Sequence, residues 1–319
     1  MPSDGMPDLA GRIEARAVLH RLWRLGDRDQ ALDAMAPRIR AIAATSHNVP
    51  VDAALMRRLP RLEIVASFGV GYDHIDAAWA GQHGIIVTHT PGVLDDEVAD
   101  IAMALTLNCV RQLPQAERHL REGKWIEAPF PLTASLRGRV MGILGLGRIG
   151  KAIAARARAF GVEVVYHGRK PQDGARYLYY PTLKAMAAAC DILMIAAPGG
   201  GGTQKIVNRE IIEAVGPDGV IVNISRGSLV DEDALIEALR ARRILAAGLD
   251  VFASEPHVPA ALLALDNAVL LPHVGSASHH TRGAMGDLVV DNLFAWMDGK
   301  GPLTPVPETP WKRVRLGSL

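Results

Sequence analysis

The decisive stretch of this chain is Val140-Met141-Gly142-Ile143-Leu144-Gly145-Leu146-Gly147-Arg148-Ile149-Gly150. It opens with an apolar run that lacks polar alternation, which predicts a strand buried on both faces. Gly145, Gly147 and Gly150 then form G-x-G-x-x-G, and an Ala-rich segment with helical spacing follows. Strand, glycine turn and helix in this order are typical of a dinucleotide-binding unit. The helix N-terminus would present unpaired N–H groups to the phosphates.

Glycine spacing alone is weak evidence, because a chain with 31 glycines can produce it in an ordinary structural turn. Both flanks of this turn have the required pattern, which favours a nucleotide site. From Arg139 onward, strand and helix patterns alternate and predict a doubly wound parallel sheet with helices on both faces. The predicted strands are Val140–Leu144, Val162–Tyr166, Asp191–Ala196, Val220–Asn223, Ala246–Asp250 and Ala268–Leu271. The predicted helices between them include Lys184–Ala189, Asn208–Val215 and Asp231–Arg240.

The residues before this sheet predict a second α/β unit, with strands at Ile39–Ala44, Leu62–Ser67 and Ile85–Thr88, a polar loop at Thr45–Asn48 and a long helix at Asp95–Arg111. We expect the last helix, Thr281–Met297, to return to this unit, which makes it discontinuous. The fold class is therefore α/β with two Rossmann-like domains. Residues 1–113 with 281–319 form a flavodoxin-like substrate domain, and residues 114–280 form the dinucleotide-binding domain. The Pro-rich tail from Pro302 predicts irregular structure.

Composition excludes several classes of protein. Hydrophobic residues make up 49% of the 319 residues and charged residues 22%, which is a globular balance. The net charge of +1 gives no indication of nucleic-acid binding. We expect no signal peptide, because the start Met1–Gly5 is not a basic region followed by an apolar run. We expect no membrane span, because no apolar run is long enough. Cys109 and Cys190 lie in apolar segments and predict reduced core residues of a cytoplasmic protein without a metal site.

Three charged or titratable residues follow predicted strands of the second sheet. Arg226 follows Val220–Asn223, Glu255 follows the next strand, and His273 ends the last one. The carboxyl ends of parallel strands line the ligand crevice, so all three would face the nucleotide. Each alone has an ordinary explanation: a surface charge, a solvated acid and a turn histidine. Together they supply a proton donor, a carboxylate that favours its charged form, and a bidentate clamp for a substrate carboxylate.

These motifs resemble the D-2-hydroxyacid dehydrogenase family over nearly the whole chain. The matching pieces are Gly145–Gly150, Asn223-Ile224-Ser225-Arg226-Gly227, Gly248-Leu249-Asp250-Val251-Phe252, Glu255-Pro256 and Leu271-Pro272-His273-Val274-Gly275-Ser276. The resemblance implies that Arg226, Glu255 and His273 are the catalytic set. It implies further that backbone N–H groups of Val70 and Gly71 hold the substrate carboxylate, together with Arg226 and His273. The residues that it implies for cofactor binding are Gly145, Leu146, Gly147, Arg148, Ile149, Gly150, Ile224, Ser225, Asp250, His273 and Gly275.

Within that family the chain most resembles NADPH-dependent glyoxylate/hydroxypyruvate reductases and hydroxyphenylpyruvate reductases, which implies reduction of small 2-keto acids to D-2-hydroxy acids. The ribose-binding acid of an NAD site should follow the second strand of the sheet. This chain has His167-Gly168-Arg169-Lys170 there, with two cations and no acid. An ordinary basic turn is the alternative, but Gly168, Arg169 and Lys170 at this position favour the 2′-phosphate of NADP(H).

Other interpretations remain open at this point. The activity could be of the phosphoglycerate or formate dehydrogenase type, or the chain could be a nucleotide-sensing corepressor without catalysis. Pro198-Gly199-Gly200-Gly201-Gly202-Thr203 is richer in glycine than the corresponding family segment, which leaves the substrate's size open. The resemblance and the apolar helix Asp95–Arg111 predict a homodimer that buries this helix. Trp125 is either a core residue or one that closes the pocket of a neighbouring subunit.

Overall fold

The structure is a computed structural model that describes residues 9–24, 26–44 and 49–311. The predicted loop Thr45–Asn48 and the start Met1–Gly5 lie outside these residues. The chain divides into two compact units, Met1–Leu94 with Ser278–Leu319 and Asp95–Ala277.

The first unit begins with parallel strands and short helices. Among the described residues its sheet has the order β1-β2-β3, fewer strands than the five of a full flavodoxin-type sheet. Helices α3 and α4 begin where Asp52 and Asp76 accept hydrogen bonds from the backbone N–H groups of Leu55 and Trp79. The elements are α1 (Leu9–Glu14), α2 (Arg28–Met35), β1 (Ala41–Ala44), α3 (Ala53–Arg57), β2 (Ile64–Ser67), α4 (Ala77–Gln82) and β3 (Ile86–Thr88).

The second unit is built on a seven-stranded sheet. Its helices are α5 (Asp95–Arg111), α6 (Leu113–Arg121), α7 (Arg148–Ala159), α8 (Leu183–Ala188), α9 (Arg209–Val215), α10 (Glu232–Arg240) and α11 (Ala260–Leu263). Its strands are β4 (Val140–Leu144), β5 (Glu163–His167), β6 (Leu178–Tyr179), β7 (Ile192–Ile195), β8 (Val220–Asn223), β9 (Ala246–Leu249) and β10 (Ala268–Leu270).

The strand order of this sheet, β10-β9-β8-β7-β4-β5-β6, identifies its topology. All of these strand pairs are parallel. The order reverses between β4 and β7, and ligands of doubly wound sheets bind at the carboxyl ends of the strands beside such a reversal. The predicted α/β fold with a doubly wound sheet is confirmed, and the predicted strands recur with ends that shift by a residue or two.

Helix α5 packs within the second unit, against α7, β8 and β9. A Cβ built on Gly248 of β9 would lie 3.0 Å from Cβ of Leu105 and 3.1 Å from Sγ of Cys109, so glycine allows this close approach. The compact units therefore divide before Asp95, whereas the sequence pattern placed the boundary after residue 113. The assignment of the units as substrate and nucleotide domains stays a prediction.

The chain re-enters the first unit at α12 (His279–Met297), two residues earlier than predicted, because Ser278 caps it by accepting a hydrogen bond from the N–H of Thr281. The irregular tail then lies along β3. The N–H of Val306 donates to the carbonyl of Val87 at 2.9 Å. The hydroxyl of Thr309 accepts from the N–H of Val87 at 3.0 Å and donates to its carbonyl at 3.1 Å.

Hydropathy and helix length give one further result. Among the described residues, no helix is both long enough and apolar enough to cross a membrane.

Candidate active site

The glycine turn connects β4 to α7, and its three glycines meet different surroundings. Gly145 has a φ of +96°, and a Cβ there would lie 2.7 Å from the backbone of Ala197. A Cβ on Gly150 would lie 2.2 Å from the carbonyl oxygen of Gly145. A Cβ on Gly147 would meet no atom within 4 Å. Gly145 and Gly150 thus serve the protein's own packing, whereas the open space at Gly147 fits a phosphate group brought close to the backbone.

The remaining predicted residues of this turn have partners within the unit. The carbonyl of Leu146 accepts a hydrogen bond from Nε2 of Gln172 at 2.7 Å. Nε of Arg148 donates to Oδ2 of Asp95 at 2.8 Å, while its guanidinium is largely exposed. Ile149 is half-buried. Backbone groups and the exposed side chains of Arg148 and Lys151 therefore lie at the start of α7.

The turn after β5 lies beside the glycine turn, because the N–H of Gly145 donates to the carbonyl of His167 at 2.9 Å. The hydroxyl of Tyr179 donates to the carbonyl of Gly168 at 3.2 Å. Arg169 and Lys170 are exposed and form no ion pair with any residue that the structure describes. Two exposed cations that have no ion-pair partner among the described residues therefore follow the strand beside the glycine turn.

The loop that carries Arg226 is fixed by Asn223, the buried last residue of β8. Oδ1 of Asn223 accepts from the N–H of Ser225 at 3.1 Å, and its Nδ2 donates to the carbonyl of Arg226 at 2.9 Å. A Cβ on Gly227 would lie 1.9 Å from the carbonyl carbon of Phe252, so only glycine lets this loop pack against the loop after β9. Ile224 is buried and Ser225 half-buried within it.

Glu255 and His273 meet at this edge of the sheet. Nδ1 of His273 donates to Oε2 of Glu255 at 2.8 Å, and the N–H of Phe252 donates to Oε1 at 3.0 Å. Burial is the largest influence on the pKa of Glu255 and raises it. The hydrogen bond and charge of His273, the N–H of Phe252 and the charge of Arg226 outweigh burial, so the pKa lies below its ordinary value. Glu255 is therefore a carboxylate at neutral pH.

Asp250 connects the ends of β9 and β10 and is 1% exposed. Its carboxylate accepts hydrogen bonds from the N–H groups of Val274 and Gly275 at 2.7 and 2.8 Å. Its carbonyl accepts from the N–H of His273, whose φ is +54°. Burial raises the pKa of Asp250, opposed by the two N–H groups and by the charge of His273. This residue positions the histidine loop.

Val70 and Gly71 belong to the first unit, where they follow β2. Within the described part of the chain, their N–H groups donate no hydrogen bond. Unused N–H groups of this kind are suited to an anionic ligand.

The glycine loop after β7 contains a single 3-10 turn at Gly201–Thr203. The hydroxyl of Thr203 donates to the carbonyls of Pro198 and Gly200. A Cβ on Gly200, Gly201 or Gly202 would meet no atom within 4 Å. Packing therefore does not require these three glycines. The described residues contain no group of three or more His, Cys, Asp or Glu side chains suited to a metal ion.

Sequence reasoning missed the residues that hold these loops. Asn223 was visible as a polar residue at the end of a buried run, but no function was assigned to it. Gln172 and Tyr179 act through contacts with residues distant in sequence, and a two-residue strand such as β6 carries no periodic signal. The contacts of Gln172 and Tyr179 could be found only from the folded chain.

Comparison with known proteins adds to this geometry. Residues 103–275 match the family described as "D-isomer specific 2-hydroxyacid dehydrogenase, NAD binding domain". Over 298 residues the chain is 46% identical to glyoxylate/hydroxypyruvate reductase A of Arabidopsis thaliana, with 93% of this chain and 95% of that protein covered. It is 45% identical to hydroxyphenylpyruvate reductase of Plectranthus scutellarioides, with the same coverage.

A solved structure is similarly close. NADPH-dependent glyoxylate/hydroxypyruvate reductase of Sinorhizobium meliloti, in complex with NADP and malonate, superposes with a TM-score of 0.86. The two chains are 48% identical, and 95% of each is covered.

The different surroundings of Gly147 and Gly150 lead to opposite expectations for alanine at the two positions. Gly150→Ala forces a Cβ into the Gly145 carbonyl and should lower the free energy of unfolding by about 1–3 kcal/mol. Gly147→Ala meets open space and should cost less than about 1 kcal/mol, yet weaken NADPH binding about tenfold or more. Thermal unfolding and fluorescence titration with NADPH measure the two effects. Normal NADPH affinity in Gly147→Ala would contradict the phosphate site.

Proposed function

Because this chain belongs to the D-isomer specific 2-hydroxyacid dehydrogenase family and is an oxidoreductase, we propose that it reduces small 2-keto acids to D-2-hydroxy acids with NADPH. Glyoxylate and hydroxypyruvate are the proposed substrates, and larger keto acids of the phenylpyruvate type are further candidates. The Glu255–His273 pair carries this proposal, because a histidine hydrogen-bonded to a carboxylate at the carboxyl ends of the strands is suited to donate a proton.

The residues of the site have complementary roles in this reaction. When bound, NADPH supplies the hydride that reduces the carbonyl carbon. His273 donates a proton to the carbonyl oxygen, and because its Nδ1 bonds Glu255, this proton comes from Nε2. Glu255 stabilises the charged imidazole before transfer. Arg226 pairs with the substrate carboxylate and polarises the ketone. In the first unit, the unused N–H groups of Val70 and Gly71 are suited to receive a carboxylate.

The cofactor is held by groups already described. Backbone N–H groups at the start of α7 take the pyrophosphate, and Arg169 with Lys170 pairs the 2′-phosphate. Neither cation has an ion-pair partner among the residues that the structure describes, which supports this assignment. Ile224, Ser225, Asp250 and Gly275 line the same edge of the sheet.

A panel of keto acids tests the proposed function. NADPH oxidation with glyoxylate, hydroxypyruvate and phenylpyruvate should give measurable kcat/KM values, and their ratio identifies the preferred substrate. His273→Ala should reduce kcat by about 10²–10⁴, which separates this chain's activity from a contaminant. NADPH binding without reduction of any keto acid would favour the corepressor alternative. Preference for phosphorylated hydroxy acids or formate would favour the other enzyme types.

Arg169 and Lys170 provide a test of cofactor choice. Replacing both with alanine should raise KM for NADPH at least tenfold and leave NADH nearly unaffected, since each charged contact is worth roughly 1.5–3 kcal/mol. Arg158→Ala removes an exposed arginine at the other end of α7 and is the matched control. Equal weakening for both cofactors would show that this turn does not recognise the phosphate.

Glu255→Gln tests the proton donor, because it keeps size and removes the charge. A neutral neighbour favours the protonated imidazole less, so the high-pH limb of reduction should shift to lower pH. The low-pH limb of hydroxy-acid oxidation should shift in the same direction, since oxidation needs the neutral imidazole. Glu232→Gln is the control, because that carboxylate accepts from the N–H of Ala253 nearby. Unchanged profiles in Glu255→Gln would exclude the pairing.

We also propose a homodimer, formed through residues 113–132, here called the arm. The apolar content of α5 is largely explained by packing inside its own unit. The arm, by contrast, has large exposed apolar side chains at Leu113, Leu120, Trp125, Ile126 and Leu132. The relative solvent exposure is 93% for Ile126 and 102% for Leu132. Helix α6 within it is amphipathic but has no buried residue. Such a patch on one chain is typical of a surface that a second copy covers.

Sedimentation tests the dimer. The wild-type protein should have twice the chain mass of 34.2 kDa at micromolar concentration. Ile126→Asp should shift it toward monomer, because the dimer would have to bury an unpaired charge. Val18→Asp changes an exposed apolar residue outside the arm and should leave the mass unchanged. A wild-type monomer would contradict the proposal.

We propose a cytoplasmic location, supported by Cys109 and Cys190, which are both buried and unpaired. Cell fractionation followed by an NADPH-dependent assay checks this, and activity in an oxidising compartment would contradict it.

A further inference from the structure

The loop after β2 is held by its carbonyl groups and not by its N–H groups. The carbonyl of Gly69 accepts from the N–H of Thr90 at 2.9 Å. The carbonyl of Val70 accepts from Nδ1 of His89 at 3.0 Å. Since a carbonyl oxygen can only accept, this nitrogen of His89 carries the hydrogen.

These two hydrogen bonds determine the direction of the unused N–H groups. A trans peptide is planar, and its carbonyl and N–H point in opposite directions. The carbonyl of Gly69 shares a peptide with the N–H of Val70, and the carbonyl of Val70 shares one with the N–H of Gly71. The bond to Thr90 therefore directs the Val70 N–H away from Thr90, and the bond to His89 directs the Gly71 N–H away from the imidazole.

Contacts hold the backbone N–H, the backbone carbonyl and the imidazole ring of His89. Its N–H donates to the carbonyl of Thr304 at 3.2 Å, and its carbonyl accepts from the hydroxyl of Thr304 at 2.6 Å. Oδ1 of Asn292 accepts from the N–H of Thr304 at 3.0 Å and so holds this part of the tail. The ring of Tyr72 lies edge-on to the imidazole of His89, with 5.5 Å between the two ring centroids.

Tyr72 is anchored in turn. Its hydroxyl donates to Oε2 of Glu308 at 3.0 Å. Burial and this carboxylate raise the pKa of Tyr72 to about 12, so the hydroxyl keeps its hydrogen and the bond persists across the neutral range. The tail from Thr304 to Glu308 therefore holds His89 both directly and through Tyr72.

We propose that His89 is a positioning residue for substrate binding: its hydrogen bond to the Val70 carbonyl aims the Gly71 N–H at the substrate carboxylate. This role rests on the proposed function, in which the Val70 and Gly71 N–H groups receive that carboxylate. His89 does not touch the reacting atoms. It sets substrate affinity and leaves hydride and proton transfer unchanged.

Two substitutions of His89 separate its hydrogen bond from its bulk. His89→Leu keeps an apolar side chain of similar size and removes the donor. His89→Asn places an amide Nδ2–H where Nδ1–H was, so it should restore the bond without the ring. His83→Leu is the matched control, because Nδ1 of His83 makes the same kind of bond to the carbonyl of Trp79 at 2.8 Å, away from the loop. His89→Ala replaces the leucine variant if that chain does not fold.

Two measurements are made on each full-length variant. Calorimetry with oxamate, a carboxylate that cannot be reduced, gives Kd in the presence of saturating NADPH. Kinetics with glyoxylate gives KM and kcat. His89→Leu should raise the Kd and the KM about threefold to tenfold, as expected for one hydrogen bond, with kcat and KM for NADPH unchanged. His89→Asn and His83→Leu should stay within about twofold of wild type.

Equal weakening in the leucine and asparagine variants, or none in either, would overturn the role of the hydrogen bond. Absence of oxamate binding to the wild-type protein would overturn it as well, since the N–H groups would then receive no carboxylate. A wild-type protein that binds oxamate but reduces no keto acid would refute the proposed function. In that case the oxamate series alone still decides whether His89 positions the loop.

Discussion

The carboxylate of Asp250 is the group on which the candidate site depends. It is buried, and its hydrogen bonds to Val274 and Gly275 tie the loop after β10 to the end of β9. A non-glycine residue at a φ of +54°, as at His273, costs roughly 1–2 kcal/mol, and the bonds around Asp250 offset this cost. Gly275 is required here too, because a Cβ would lie 2.9 Å from Oδ2 of Asp250. Because the hydrogen bonds of Asp250 hold the loop after β10, the imidazole of His273 can reach Glu255.

The sequence predicted the second unit well because its elements depend on local pattern. Buried parallel strands are continuous apolar runs, and the residues that follow them must meet at one edge of the sheet. Arg226, Glu255 and His273 could therefore be named together from their positions after strands. The structure brings Glu255 and His273 into contact and places Arg226 where its charge acts on Glu255.

What the sequence could not predict depends on distant contacts. Helix α5 has the pattern of a buried helix, yet the pattern does not specify which sheet buries it. His89 follows a short strand without any motif, and its partners Val70 and Thr304 are 19 and 215 residues away. Such pairings exist only once the chain has folded.

The return of the tail to β3 has a consequence for the order in which the protein is made. Val87 and Thr309, which hydrogen-bond to each other, are 222 residues apart, and the whole of the second unit lies between them. During translation the second unit is complete as a continuous segment and can fold while the ribosome still holds the rest. The first unit has to wait for α12 and the tail. The loop that carries Val70 and Gly71 therefore acquires its final form after the seven-stranded sheet, although its residues are synthesised before that sheet.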